Sequence, residues 1–371
     1  MDLSLRLGRA FDTTILVPRV PGTSRHEEIE GVHVRRFAYF PRRWEDLANG
    51  AIIENLRAKP SRWLQVLPFL VAEAIQLRRL IRRERPDVVH LHWVVPQGVA
   101  ALLVGRSVPW VVTTLGGDVY ALNGRLARAL KGRVLRRARA VTTMNADMRE
   151  RVIALGADEE TTYVQPLGAD LDSIRELVRP DQARVPARIL FVGRLVEKKG
   201  AKVLIDAVRQ LPADLRWTLE IVGDGPLADG LKAQAAGLPV TFRGAASREE
   251  LANAYARSTV IVVPSVPAES GDQDGLPTVL LEAMGSGVAV VASDLPGLNE
   301  AVVDGETGLL VPPKDPDALA KALRAMLTDD SLRTHLAEAA RRRSGEYTID
   351  LCAQRFVEIV AAAAGADGGR A

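Results

Sequence analysis

The feature that most restricts this chain is a rhythm. Short apolar runs alternate with longer amphipathic stretches from near one end to near the other. A strand covered on both faces reads as an almost unbroken apolar run, and a helical crossover must follow before the next parallel strand can pair. The first half offers strand candidates TTILVP (13–18), DVVHLHW (87–93), PWVVTTL (109–115), AVTTM (140–144) and TYVQP (162–166). The second offers RILFVG (188–193), WTLEIVG (217–223), VTFRG (240–244), TVIVVP (259–264) and AVVAS (289–293). Helices are expected between them, at 63–84, 124–138, 201–210, 247–256, 277–286 and 316–327. This alternation predicts an α/β protein with doubly wound parallel sheets covered on both faces.

A chain of 371 residues exceeds one ordinary core, so two domains are expected. The stretch RELVRPDQARVPA (175–187), with two prolines and mixed charge, marks the join. That gives a first Rossmann-like domain at 1–178 and a second at 179–371, with the last helix, about 346–364, a candidate to cross back to the first. The Ala/Gly-rich end, 361–371, is expected to fray. A doubly wound domain normally opens with a strand and a Gly-rich turn, whereas MDLSLRLGRAF reads as the tail of a helix. That strand and turn are therefore expected upstream of Met1, unless the sheet begins elsewhere.

A single cysteine, Cys352, excludes an intramolecular disulfide framework and suits a reducing compartment. There is no basic-then-apolar leader and no uncharged run of ~18 apolar residues, so a cytoplasmic place is expected, with the inner face of a membrane as a variant. Residues 1–180 hold 28 Lys+Arg against 20 Asp+Glu (28 − 20 = +8), and 181–371 hold 21 against 26 (21 − 26 = −5). Either the first half meets an anionic surface or acceptor, or its Arg-rich helices are simply solvated. Nucleic acid is disfavoured, because the basic half lacks aromatic interleaving and any known binding motif.

Helix 63–84 shows the same ambiguity. Leu64, Leu67, Val71, Ala74, Ile75 and Leu80 share one side, and Arg78, Arg79, Arg82, Arg83 and Arg85 close it. Its apolar side either packs inward or lies on an anionic membrane that presents a lipid-linked acceptor.

Three segments carry chemistry. In RILFVGRLVEKKGAKVLIDAV (188–208) a strand ends at Gly193, followed by Arg194, Lys198 and Lys199, with Gly200 opening a helix. This puts cations at the carboxyl edge of a parallel sheet, where such folds bind ligands, or else makes a basic turn over a surface helix. The turn VGDGPL (222–227) has two glycines that let backbone approach a ligand, and turns of this kind also serve merely as connections. In QDGLPTVLLEAMGSG (273–287), Pro277 begins a helix whose Thr278, Val279 and Leu280 amides are expected to be open donors for phosphate. Glu282 would face the same pocket and accept from ribose hydroxyls, with Asp274 in the loop beside a sugar.

Together these segments, with TTLGGDVY and DGETGLLVPPKDPDALA in the same order, resemble the retaining glycosyltransferases of family 4 over nearly the whole chain. The resemblance implies the GT-B fold of two facing Rossmann-like domains. It implies transfer of a sugar, with retained configuration, from a nucleotide-diphosphate sugar to a polysaccharide, glycolipid or small-molecule acceptor. No cofactor and no metal are expected. Gly193, Arg194, Lys199 and the 278–280 amides would hold the diphosphate; Glu282, with Gly223 and Arg243, the ribose and base; Asp274 the transferred sugar.

Asp118, after a double glycine, is a second catalytic candidate that either lines the cleft or caps a helix. The chain departs from the pattern at Asp274, where a Glu is usual, at Leu115, where a His is usual, and in the missing Gly-rich loop. An impaired scaffold that binds a nucleotide sugar or a partner protein without turnover is therefore the alternative, and an epimerase on a similar fold is disfavoured by the Asp-x7-Glu segment. His90 and His92 share a strand face, Asp170-Leu-Asp172 and Asp272-Gln-Asp274 match the Asp-x-Asp of other transferases by chance, and Glu269 is a speculative cleft residue.

Overall fold

A computed structural model describes residues 2–49, 52, 55–56, 59–105, 107–177 and 187–365. The expected join at 178/179 lies at the edge of, and largely outside, the described residues. The chain divides into two compact units: Met1–Thr143 with Arg149–Gln165 and Ala353–Ala371, and Met144–Met148 with Pro166–Cys352.

In the first unit, β4 (Val89–His92), β5 (Trp110–Thr113), β6 (Ala140–Thr143) and β7 (Thr162–Val164) form a parallel sheet in that order. Strands β5 and β6 are buried at every residue, as their unbroken apolar runs require. The strand β1 (Thr14–Pro18) does not join that sheet. It pairs in parallel with β3 (Val32–Phe37), which pairs antiparallel with β2 (His26–Ile29). Two of these strands escape the sequence reading because HEEI and VHVRRF are charged: β2 is an edge strand and half of it lies in water.

The long helix Trp63–Glu84 packs on this smaller sheet through Phe69, whose ring lies 5.6 Å from Phe37 and 5.1 Å from Tyr39. Its buried face is Gln65, Phe69, Glu73 and Ala74. Of the apolar line, Leu64 (73 % exposed) and Leu67 (70 %) do not pack inward, whereas Ala74 does. The final helix, Ile349–Gly365, sets Phe356, Val360 and Ala363 against the first unit's sheet.

The second unit is a six-stranded parallel sheet of β8 (Arg188–Val192), β9 (Thr218–Val222), β10 (Val240–Gly244), β11 (Val260–Val263), β12 (Ala289–Ser293) and β13 (Leu309–Val311). Its spatial order is β10-β9-β8-β11-β12-β13. The chain thus winds outward from β8 in one direction, then returns to lay β11 on the other side. The strand order reverses between β8 and β11, and in open parallel sheets the carboxyl edge at such a reversal is where ligands bind. Leu204, Ile205, Ala207 and Val208 of helix Ala201–Val208 cover one face, and Leu280, Leu281, Ala283 and Met284 of helix Thr278–Gly285 belong to the core on the other.

Candidate functional site

The reversal point carries a cluster of charged side chains. The loop leaving β8 passes Gly193 and the exposed Arg194, then tightens into a single turn at Glu197–Lys199. Gly200 follows with φ +69°, and a Cβ there would stand 1.7 Å from the carbonyl oxygen of Pro264, so only glycine fits. Strand β11 then delivers a long loop, 264–277, that is tied to this turn. The Val266 amide donates to the Lys198 carbonyl at 2.9 Å, and the Glu269 amide to the Glu197 carboxylate at 2.9 Å.

These ties hold two lysines against two aspartates. Lys199 Nζ lies 2.7 Å from Asp274 Oδ2. Lys198 Nζ lies 3.1 Å from Asp272 and 3.4 Å from Asp274 Oδ1. Burial alone would push the Asp274 carboxyl up, but Lys199 and Lys198 outweigh it and hold the group below its ordinary range. Burial likewise lowers Lys198, and Asp274 and Asp272 reverse the sign. Within the cluster both lysines are thus paired with carboxylates.

The turn from Asp274 to the helix is fixed from two sides. Gly297, at φ +86°, presses its Cα on the Gly275 carbonyl, which a Cβ would meet at 1.9 Å. Asn145 Nδ2 donates to that same oxygen at 2.8 Å. Pro277 then starts helix Thr278–Gly285 without a side-chain cap. The expectation of three open amides needs correcting, because the Leu280 amide donates to the Pro277 carbonyl at 3.1 Å. Thr278 and Val279 keep theirs unengaged among the described residues. On the same helix, Glu282 accepts a hydrogen bond of 2.8 Å from Tyr255 Oη. Burial, then the Glu282 charge, raises the Tyr255 hydroxyl well above its ordinary value, so it stays a donor.

Gly223, at φ +136°, lies against Gly193, whose carbonyl oxygen a Cβ would meet at 2.0 Å, so the turns after β8 and β9 touch. Arg243 is not brought to this cluster. It sits on β10, two strands from β8, where its Nε donates to Glu220 at 2.8 Å. Arg188 also pairs with Glu220, and the two cations overcome burial to hold that carboxyl below its ordinary range.

The first unit's candidates are arranged differently. Asp118 is 2 % exposed and accepts from three backbone amides: Val94 at 2.9 Å, and Leu115 and Gly116 at 3.0 Å each. Burial raises its carboxyl while these bonds oppose the shift. The carboxylate thus holds loop amides together, while helix Gly117–Tyr120, on which it sits, has no side-chain cap. The Leu115 position supplies only its amide to Asp118. His90 and His92 stack with centroids 4.4 Å apart, and burial holds both below their ordinary value, His92 at about 4. His90 Nε2 is hydrogen-bonded to Thr113 at 2.6 Å.

Asp170 caps helix Leu171–Leu177 through Ser173 and pairs with Arg248 at 3.1 Å, while Asp172 pairs with Arg175 at 3.1 Å. Among the described residues no group of three or more His, Cys, Asp or Glu is placed to hold a metal.

Sequence reasoning missed three participants: Asp272 as the partner of Lys198, Tyr255 behind Glu282, and Asn145 on Gly275. The first had a signal, two acids two apart facing a Lys-Lys pair. The others are contacts between residues 27 and 130 apart, with no local trace.

Comparison with known proteins bears on the family and the fold. Residues 1–168 match a family described as Glycosyl transferase 4-like domain, and residues 186–329 match Glycosyl transferases group 1. The glycogen synthase of Mycobacterium tuberculosis is 33 % identical over 296 residues, covering 74 % of this chain and 68 % of that protein. The sulfoquinovosyl transferase of Arabidopsis thaliana is 28 % identical over 319 residues, 80 % of this chain, which spans only 61 % of that protein's length. Among solved structures, Anabaena HepE in complex with UDP-glucose superposes with TM-score 0.67 at 20 % identity, covering 90 % of this chain and 87 % of that one.

Proposed function

The chain belongs to the group 1 glycosyltransferases, and from that membership we propose that it transfers a sugar from a nucleotide-diphosphate donor, with retained configuration, to a polysaccharide, glycolipid or small-molecule acceptor. The observation that carries the reading is the Lys199–Asp274 pair at the point where the second sheet reverses. A diphosphate arriving there replaces the carboxylate as the counter-ion of Lys199. Asp274 is then released toward the sugar, beside the Thr278 and Val279 amides that take a phosphate oxygen.

Charge grows on the diphosphate as the glycosidic bond breaks. Arg194, Lys199 and the helix amides stabilise it in place, more strongly than water would at a half-buried site. With the cations supplied by side chains, a metal is not required for leaving-group departure. Asp274 is assigned to the hydroxyls of the transferred sugar and not to a covalent glycosyl intermediate. A front-face transfer, in which a leaving phosphate oxygen takes the acceptor's proton, fits the geometry. Glu282, steadied by Tyr255, accepts from the ribose. The name of HepE's bound ligand, UDP-glucose, supports a uridine donor as the first to try. The reaction is placed in the cytoplasm, at the inner membrane face where the acceptor is lipid-linked.

A thermal-shift panel of UDP, GDP, ADP and their glucose conjugates tests the reading. One nucleoside diphosphate is expected to stabilise the protein, and Lys199→Ala to weaken it by about 10- to 100-fold, the ~1.5–3 kcal/mol of a charge-assisted bond. Equal binding by Lys199→Ala, or no response to any diphosphate, sinks the donor site. A second reading, a binding scaffold without turnover, is motivated by Leu115, whose side chain cannot move a proton. Donor stabilisation without hydrolysis or transfer across a panel of acceptors would favour it.

A further inference from the structure

The outward face of helix Trp63–Glu84 has a composition that water does not favour. Leu64, Leu67, Val71 and Ile75 are 73, 70, 41 and 46 % exposed. At ~100° per residue these positions, with Arg78 and Arg82 after them, fall within about 80° of one another. They form one straight line: four large apolar side chains, then two exposed guanidinium groups. The opposite face is the one that packs, through Phe69, on the three-stranded sheet. An apolar line of this length on the outside of a helix needs a partner.

We propose that this face docks the first unit on an anionic lipid surface, with Leu64, Leu67, Val71 and Ile75 entering the headgroup boundary and Arg78 and Arg82 pairing with lipid phosphates. The charge pattern selects this occupant. The line carries cations and no acid, and neither Arg78 nor Arg82 has a carboxylate partner among the described residues. In a second copy of the chain, antiparallel pairing would press those cations on leucines, and parallel pairing would press them on each other. A lipid surface satisfies both halves at once, since long Arg side chains keep their charge among the phosphates while the apolar residues leave water. The helix lies on such a surface and does not cross it; among the described residues no helix is long and apolar enough to span a membrane. The inference rests on the proposed lipid-linked acceptor only for its use, since docking would hold the enzyme where such an acceptor lies.

Co-sedimentation of the full chain with phosphatidylcholine vesicles, alone or mixed with phosphatidylglycerol, tests it. Binding is expected with the mixed vesicles, reduced but not abolished by added salt, and little with phosphatidylcholine alone. Leu64→Ser with Leu67→Ser, and separately Arg78→Glu with Arg82→Glu, should each weaken binding to mixed vesicles about tenfold or more. Their unfolding temperatures should stay near that of the parent, because the altered groups lie in water. Absence of binding to mixed vesicles, equal binding by both variants, or a dimer that the serine variant dissolves would overturn the proposal. Nucleotide-induced stabilisation, measured on the same samples, reports the donor site separately, so failure of either idea leaves the other legible.

Discussion

The two units handle buried charge at their sheet edges in opposite ways. In the first, Asp118 is closed on three backbone amides, and Lys131, fully buried, on the Val119 and Ala121 carbonyls. In the second, side chain meets side chain, Lys198 and Lys199 with Asp272 and Asp274, next to two unengaged helix amides. Backbone partners cannot leave without unfolding the loop, whereas a carboxylate can swing aside for a phosphate. The first arrangement fixes a loop; the second leaves charged side chains whose pairing a ligand can exchange, as the proposed donor site requires.

Asp118→Ala is the largest test of that contrast. It strands three amides in a nearly dry site, with an expected loss of ~3–5 kcal/mol of stability, while donor binding by surviving protein holds near the parent's. A stable Asp118→Ala protein that binds donor but transfers nothing would break the comparison and return Asp118 to catalysis.

Glu73 comes next, since it is the first unit's one exception among the acids discussed. It is 5 % exposed, one carboxylate oxygen has no partner, and burial pushes it up to about 7. A raised acid favours the protonated fold, so its contribution is fullest below the ordinary 4.5 and is lost as pH rises through about 7. Glu73→Gln should therefore stabilise the protein by up to ~3 kcal/mol near pH 8 and by little near pH 4. Thermal melts across that range read the difference, and a pH-independent gap would mean that Glu73 has an unseen partner.

The smallest effect belongs to the second unit. Tyr255→Phe keeps the ring and removes the hydroxyl that steadies Glu282, at ~1 kcal/mol. The donor KM should rise about fivefold with kcat nearly unchanged. A fall in kcat alone would place Tyr255 elsewhere in the mechanism.

Much of the second unit was legible because its strands β11 and β12 are buried at every residue and almost wholly apolar, and β8 and β9 nearly so. The five runs named there match β8 to β12 within a residue or two; β13, only three residues long, offered too little pattern. The phosphate-type cations were legible for a related reason: Gly193 and Gly200 bracket them, and glycines mark where backbone crowds. The helix at 63–84 shows the limit. Periodicity located the apolar line but not its direction, because the buried face includes Gln65 and Glu73 and a hydropathy pattern counts those as surface. Arg243 misled similarly, since a cation at a strand's end looks alike whether it serves a ligand or Glu220.

The division of the chain into Met144–Met148 and Pro166–Cys352 on one side, and everything else on the other, has a practical meaning for dissection. Along its length the polypeptide changes unit four times, after Thr143, Met148, Gln165 and Cys352. Cutting in the proline-containing stretch therefore does not yield two independent halves. A fragment beginning at Pro166 would lack Asn145, the donor that clamps Gly275, and would end in a helix whose last turns had lost the sheet that covers them. The loop at Gly275 is thus completed by Asn145, from a five-residue segment that precedes the rest of its unit in the chain, and a fragment must include that segment to assemble it.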